Sequence, residues 1–139
     1  MYNAALICIF FLFFVFSSQA TSADRDDPST MLGQKLMLDF RYFCEDNTPS
    51  ATCRTPMTSL PPAVKSLLTE GRIGGVILFS ENIQSTEQLV ALNYQLQSLM
   101  AEHDLPPLFI AIDQEGGRVA RIPDSIATRF VGNMAIGAS

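Results

Sequence analysis

Positive charge is scarce in this chain. Its 139 residues hold nine lysines and arginines against fourteen aspartates and glutamates, a formal net charge of -5. That balance leaves no broad basic surface and excludes nucleic acid as a partner. Histidine occurs once, at His103, and cysteine three times. Cys44 and Cys53 have no further Cys or His nearby to complete a metal site, and nothing in the sequence calls for a metal or cofactor. A phosphate loop and a dinucleotide fingerprint are missing too, because the glycines of "GRIGG" (Gly71–Gly75) precede an apolar strand instead of following one. No apolar run reaches the about 20 residues of a bilayer span.

The longest such run, Ala4–Phe16, has 13 residues and leads to Ser18, Gln19 and Ala20. Small residues at those positions mark residues 1–20 as a secretory signal cleaved after Ala20, with Ala23 as the second site. No Lys or Arg precedes the run, so an uncleaved anchor is the alternative. On either reading the rest of the chain is exported, to a periplasmic or extracellular location, and after cleavage nothing holds it in a membrane. Residues 21–30 read as a flexible leader and residues 31–139 as the folded part. In that exported setting Cys44 and Cys53, which bracket the polar "EDNTPSAT", are expected to form a disulfide.

An apolar content of 47% supports a real core. Leu36–Phe40 reads as a first strand. Two prolines open a helix over about Pro62–Glu70, and Gly71 ends it. Val76–Phe79 is apolar without alternation, the mark of a parallel strand covered on both faces. Ser85 and Gln88 form a capping box, after which Leu89, Leu92, Leu96 and Leu99 share one helical face as far as about His103. Leu108–Ile112 is the third strand. The fold class is therefore α/β, in the order β-α-β-α-β, with a right-handed crossover.

This order gives meaning to "AIDQEGGRVAR" (Ala111–Arg121). Asp113 stands just past the carboxyl end of a buried parallel strand, where open α/β sheets and (β/α)8 barrels place ligand chemistry. Gly116 and Gly117 permit a tight turn or a close approach to a ligand. The alternative is an ordinary βα loop in which Asp113 caps the next helix and the arginines face solvent. Asp113 and Glu115 are too close in sequence to flank a glycosidic bond from opposite sides, and their spacing is not that of a calcium loop.

"GGVILFSEN" followed one helix later by "LFIAIDQEGGRVARI" resembles the amino-terminal barrel domain of glycoside hydrolase family 3, in its bacterial β-N-acetylhexosaminidase branch. The resemblance runs from about Met31 to the end. It implies a partial (β/α)8 TIM barrel, roughly its first three β/α units, because a whole barrel needs about 250 residues. It implies a retaining hydrolase without cofactor, acting on terminal β-N-acetylhexosamine in peptidoglycan- or chitin-derived saccharides. By the same resemblance Asp113 and Arg121 contact the sugar, and Gln114, Glu115, Gly116, Gly117 and Arg118 support them. The nucleophilic Asp and the acid/base His of the branch belong to a late loop and to a Lys-His-Phe-Pro-Gly-His segment that this sequence does not contain. Both are expected downstream of Ser139, which leaves no catalytic residue within these 139 positions. His103, at a helix end, and Asp124, in a loop, match neither, so the chain alone is expected to be an inactive and poorly soluble amino-terminal fragment. A catalytically dead carbohydrate-binding remnant and an unrelated exported α/β interaction domain are the competing expectations.

Overall fold

A computed structural model describes residues 27–46 and 48–139. The expected signal, and the leader as far as residue 26, lie outside them. The rest of the expected leader is not a loose segment: α1 spans Pro28–Gly33, with Pro28 in its first turn and Thr30 buried. Its helical φ is preset by proline, and the Arg72 guanidinium donates to the Thr30 hydroxyl, which ties the helix to the chain 42 residues on.

Three parallel strands follow, β1 (Met37–Asp39), β2 (Gly75–Leu78) and β3 (Phe109–Ile112), in the spatial order β1-β2-β3. Leu38 pairs with Val76, and Val76 with Ile110, so the register runs unbroken across the sheet. Only β2 has neighbours on both sides, and it alone is nearly all buried. Its unalternating apolar run matches that position. β1 and β3 are partly open, and Phe109 is 76% exposed. Glycine permits a close backbone approach beside this sheet: a Cβ on Gly74 would lie 2.1 Å from the Gln34 carbonyl oxygen.

Helix α2 (Pro62–Glu70) starts on its prolines and ends at Gly71, with the expected bounds. Helix α3 (Thr86–Glu102) buries Leu92, Leu96, Leu99 and Met100 against Val64, Leu68, Val76 and Leu78. Side chains fix both of its ends. Ser85 Oγ accepts from the Gln88 amide, one half of the expected box. The other half is redirected, since Gln88 Oε1 accepts from the Gln84 amide while its Nε2 donates to the carbonyls of Thr58 and Asn82. At the far end the Gln97 amide pairs with both the N–H and the carbonyl of Leu108, which sets where β3 begins. Among the described residues no helix is long and apolar enough to cross a membrane.

The Cys44–Cys53 disulfide is formed, with the Cα atoms 5.9 Å apart. It closes the loop after β1, whose two arms pair at the Tyr42–Pro56 bridge.

Candidate functional site

Each strand delivers polar residues to its carboxyl end. After β1, the Asp39 carboxylate accepts from the Arg41 amide at 2.6 Å and turns the chain. After β2, the short 3-10 turn Ser80–Asn82 buries Asn82 completely. Its Oδ1 accepts from the Phe79 amide at 2.9 Å, and its Nδ2 donates to the carbonyls of Phe40, Arg41 and Met57. One side chain thus joins the residues that leave two neighbouring strands, with its polar atoms satisfied inside the core.

After β3 the chain forms neither an irregular loop nor a helix for Asp113 to cap. It folds back as a small antiparallel ribbon, β4 (Gln114–Gly116) with β5 (Val119–Ala120). Gly116 and Gly117 take φ of 79° and 58°, a left-handed conformation that other residues adopt only at a cost. A side chain at Gly116 would also meet the Val131 carbonyl, 2.7 Å from its Cβ. Gln114 Oε1 accepts from the amides of Arg121 and Ile122 at 2.6 and 3.1 Å, locking the base of the ribbon.

That return brings Arg121 back to Asp113. Nη2 lies 3.4 Å from Oδ2, and both side chains are 33% exposed. The contact is long for a charged hydrogen bond, and the Arg121 Nε is buried without a partner. The Nε is closed to a ligand, but the part of the pair that stays open sets a carboxylate beside a guanidinium, a set able to grip a neutral polyol without metal. Among the described residues no three His, Cys, Asp or Glu side chains stand close enough together to hold a metal ion.

Of the residues named from the sequence, Asp113 and Arg121 meet, Gln114 supports them, and Gly116 and Gly117 make the turn. Glu115 and Arg118 are exposed near that turn. His103 caps α3 where the chain heads for the amino end of β3, at the opposite edge of the sheet. Asp124 pairs with Arg129 on the surface at 3.6 Å. Ser139, past which the nucleophile and the acid/base are expected, follows the short exposed helix α4 (Asn133–Gly137) and takes no part in the strand-end group. Its hydroxyl donates to the Ile136 carbonyl at 2.8 Å.

Sequence reasoning missed a second group at the same edge. The Arg41 guanidinium lies 3.7 Å from the centre of the Phe79 ring, and that of Arg121 lies over the same ring at 5.9 Å. Arg41 Nη1 is 3.9 Å from Glu81 Oε1, and the Tyr42 hydroxyl donates to the same oxygen at 3.2 Å. The backbone amide of Glu81 holds its carboxyl below the ordinary 4.5, helped by the Ser80 hydroxyl, the Arg41 charge and the Tyr42 hydroxyl, against some desolvation. The available signal was positional: "DFR" and "FSEN", like "DQEGGR", come directly after apolar strands.

The chain is similar to known proteins. A family model described as glycosyl hydrolase family 3 N terminal domain matches residues 50–139. Beta-hexosaminidase A of Pseudoalteromonas piscicida is 54% identical over 129 residues, 91% of this chain and 22% of that protein. A beta-hexosaminidase of Alkalilimnicola ehrlichii is 53% identical over 64 residues, 46% of this chain and 17% of its own length. Among solved structures, a glycoside hydrolase family 3 beta-N-acetylglucosaminidase from Paenibacillus superposes with a TM-score of 0.64 at 33% identity, covering 80% of this chain and 18% of that one. The chain thus spans about a fifth of the relatives it matches. The β-α-β order with consecutive parallel neighbours is that of a partial (β/α)8 barrel, and this chain belongs to the glycosyl hydrolase family 3 N-terminal domain family.

Proposed function

We propose that this chain supplies the sugar-binding edge of a retaining β-N-acetylhexosaminidase that removes terminal non-reducing residues from peptidoglycan- or chitin-derived saccharides. The observation that carries the reading is the Asp113–Arg121 pair, clamped by Gln114 at the carboxyl end of β3. The names of the matched relatives, beta-hexosaminidase and beta-N-acetylglucosaminidase, supply the reaction class.

In this reading the Asp113 carboxylate accepts hydrogen bonds from hydroxyls of the terminal sugar, and Arg121 donates to the same ring. Both act by orientation, fixing the anomeric carbon for attack by a carboxylate and for later hydrolysis of the glycosyl intermediate. In this reading those two reacting groups are supplied by segments that these 139 residues do not include. Export by the amino-terminal signal, to the periplasm or beyond, is part of the same proposal and agrees with the Cys44–Cys53 disulfide.

The test is steady-state hydrolysis of 4-nitrophenyl N-acetyl-β-glucosaminide by the full-length protein and its Asp113→Asn and Arg121→Lys variants. Loss of hydrogen bonds from charged groups is expected to lower kcat/KM by about tenfold or more for each. Wild-type kcat/KM in both variants would remove these residues from the sugar site.

A further inference from the structure

Arg121 is loosely held for a residue that must present its donors to a ligand. Its one side-chain hydrogen bond, to Asp113, is 3.4 Å long, and its Nε has no partner. Arg41 is in a similar state, with Nε buried and unpaired and the nearest carboxylate oxygen 3.9 Å away. The two arginines come from loops after different strands, yet both guanidiniums lie over one ring, Phe79, at 3.7 and 5.9 Å. The negative face of an aromatic ring attracts cations to within about 6 Å of its centre and leaves their N–H groups free at the edges.

Phe79 is itself fixed. Its amide donates to Asn82 Oδ1, and the same Asn82 holds the carbonyl of Arg41. Backbone and ring therefore form one unit: Asn82 ties the strand ends together, and Phe79 supplies the surface against which the arginines rest.

We propose that Phe79 is a positioning residue of the sugar site, whose ring face orients the guanidiniums of Arg41 and Arg121 so that the third of each side chain left open to solvent meets the bound saccharide. This rests on the sugar-binding reading of Arg121 above. It adds two residues that the strand-end motif around Asp113 does not include. Phe79 acts through the arginines and has no contact of its own with reacting atoms.

The test replaces Phe79 in the full-length protein with phenylalanines carrying one, two and three ring fluorines. Fluorine withdraws charge from the ring face and hardly changes its shape, so a packing role alone leaves affinity unmoved. The KM for 4-nitrophenyl N-acetyl-β-glucosaminide is expected to rise stepwise, to about fivefold at three fluorines, with an unchanged melting temperature. In an Arg41→Met/Arg121→Met background the same series should flatten, because neither guanidinium is then left over the ring. A KM indifferent to fluorination in the wild-type background, or a series equally steep with both arginines replaced, overturns the proposal. A neutral Arg121→Lys change by itself removes Arg121 from the sugar site, and overturns this proposal with it. Wild-type sensitivity to Arg121→Lys combined with a flat fluorine series overturns the Phe79 role alone.

Discussion

Leu96 and Arg121 belong to the same small sheet and helix assembly and are held by opposite means. Leu96 is fully buried between α3 and the strands, in a cluster where the neighbours are Val64, Leu68, Val76 and Met100. Arg121 is one-third exposed at the carboxyl edge, keeps one long polar contact, and leaves a buried Nε unpaired. The interior cluster is apolar and is held by packing, whereas the edge is polar and leaves hydrogen-bonding capacity unused. On the proposed function, stability and ligand chemistry are thus divided between two regions a few residues apart along each strand.

The sharpest way to break this comparison is to damage the interior. Leu96→Ala removes a fully buried side chain from the middle of the cluster, and a cost of about 3 kcal/mol is expected from lost burial and residual cavity. Urea unfolding should show it, with a shifted midpoint. Arg121→Lys, in the same measurement, is expected to move stability by less than about 0.5 kcal/mol. Equal losses at the two positions would mean that the edge is part of the structural core after all.

The disulfide loop touches both regions, since Met57 at its base belongs to the core cluster and Tyr42 bonds to Glu81. Cys44 and Cys53 are nine residues apart, and an open loop of that size regains unfolded-state freedom, so a Cys44→Ser/Cys53→Ser pair is expected to cost about 2–3 kcal/mol. Because Phe43 and Met57 bond across the base of the loop to Thr55 and Arg41, the loss should reach Tyr42 and Arg41 as well. Thermal unfolding with and without reductant measures the first effect. Sugar affinity below the melting range measures the second, and an unaltered affinity would place the loop outside the site.

Gly116→Ala probes the edge with less damage. Forcing a side chain into φ of 79° beside the Val131 carbonyl should cost about 1–2 kcal/mol within the ribbon. The ribbon packs outside the main cluster, so global unfolding should change less than sugar affinity does. A fall in unfolding stability with intact affinity would reverse the assignment of the turn.

These effects also explain what could be read without coordinates. Helices α2 and α3 and strand β2 were legible because proline, glycine, Ser85 and the leucine spacing act locally and agree with burial. The ribbon after Asp113 was not. Strands of three and two residues carry little pattern of their own, and this one depends on the Gln114 side chain bonding to the Arg121 amide and on Gly117 bonding to Phe130. The Arg41–Phe79 stack was hidden for a different reason. Its partners are 38 positions apart and meet only because β1 and β2 lie side by side, a pairing that a residue pattern does not specify. Helix α1 departs from the expected leader for the same reason, since its hold on Arg72 is equally long-range.

The smallest effect tests whether the edge contributes to folding at all. Glu81 has a carboxyl lowered from 4.5 in the folded chain, chiefly by its own backbone amide and then by Ser80, Arg41 and Tyr42. A carboxyl depressed on folding stabilises the fold above its unfolded value and loses that contribution as pH falls through the folded one. Stability should therefore hold from neutrality to about pH 5 and decline below it. Glu81→Gln should remove part of the decline, by less than about 1 kcal/mol because the side chain is partly exposed and its ion pair is long. A melting temperature followed from pH 7 to pH 3 in both proteins gives the difference directly. If the two curves run parallel, the Arg41–Glu81–Tyr42 group adds nothing to folding, and its order at the edge is of use only to a ligand. If they converge at low pH, the edge shares in stability through one carboxylate, and the division between the two regions is graded across the strand ends.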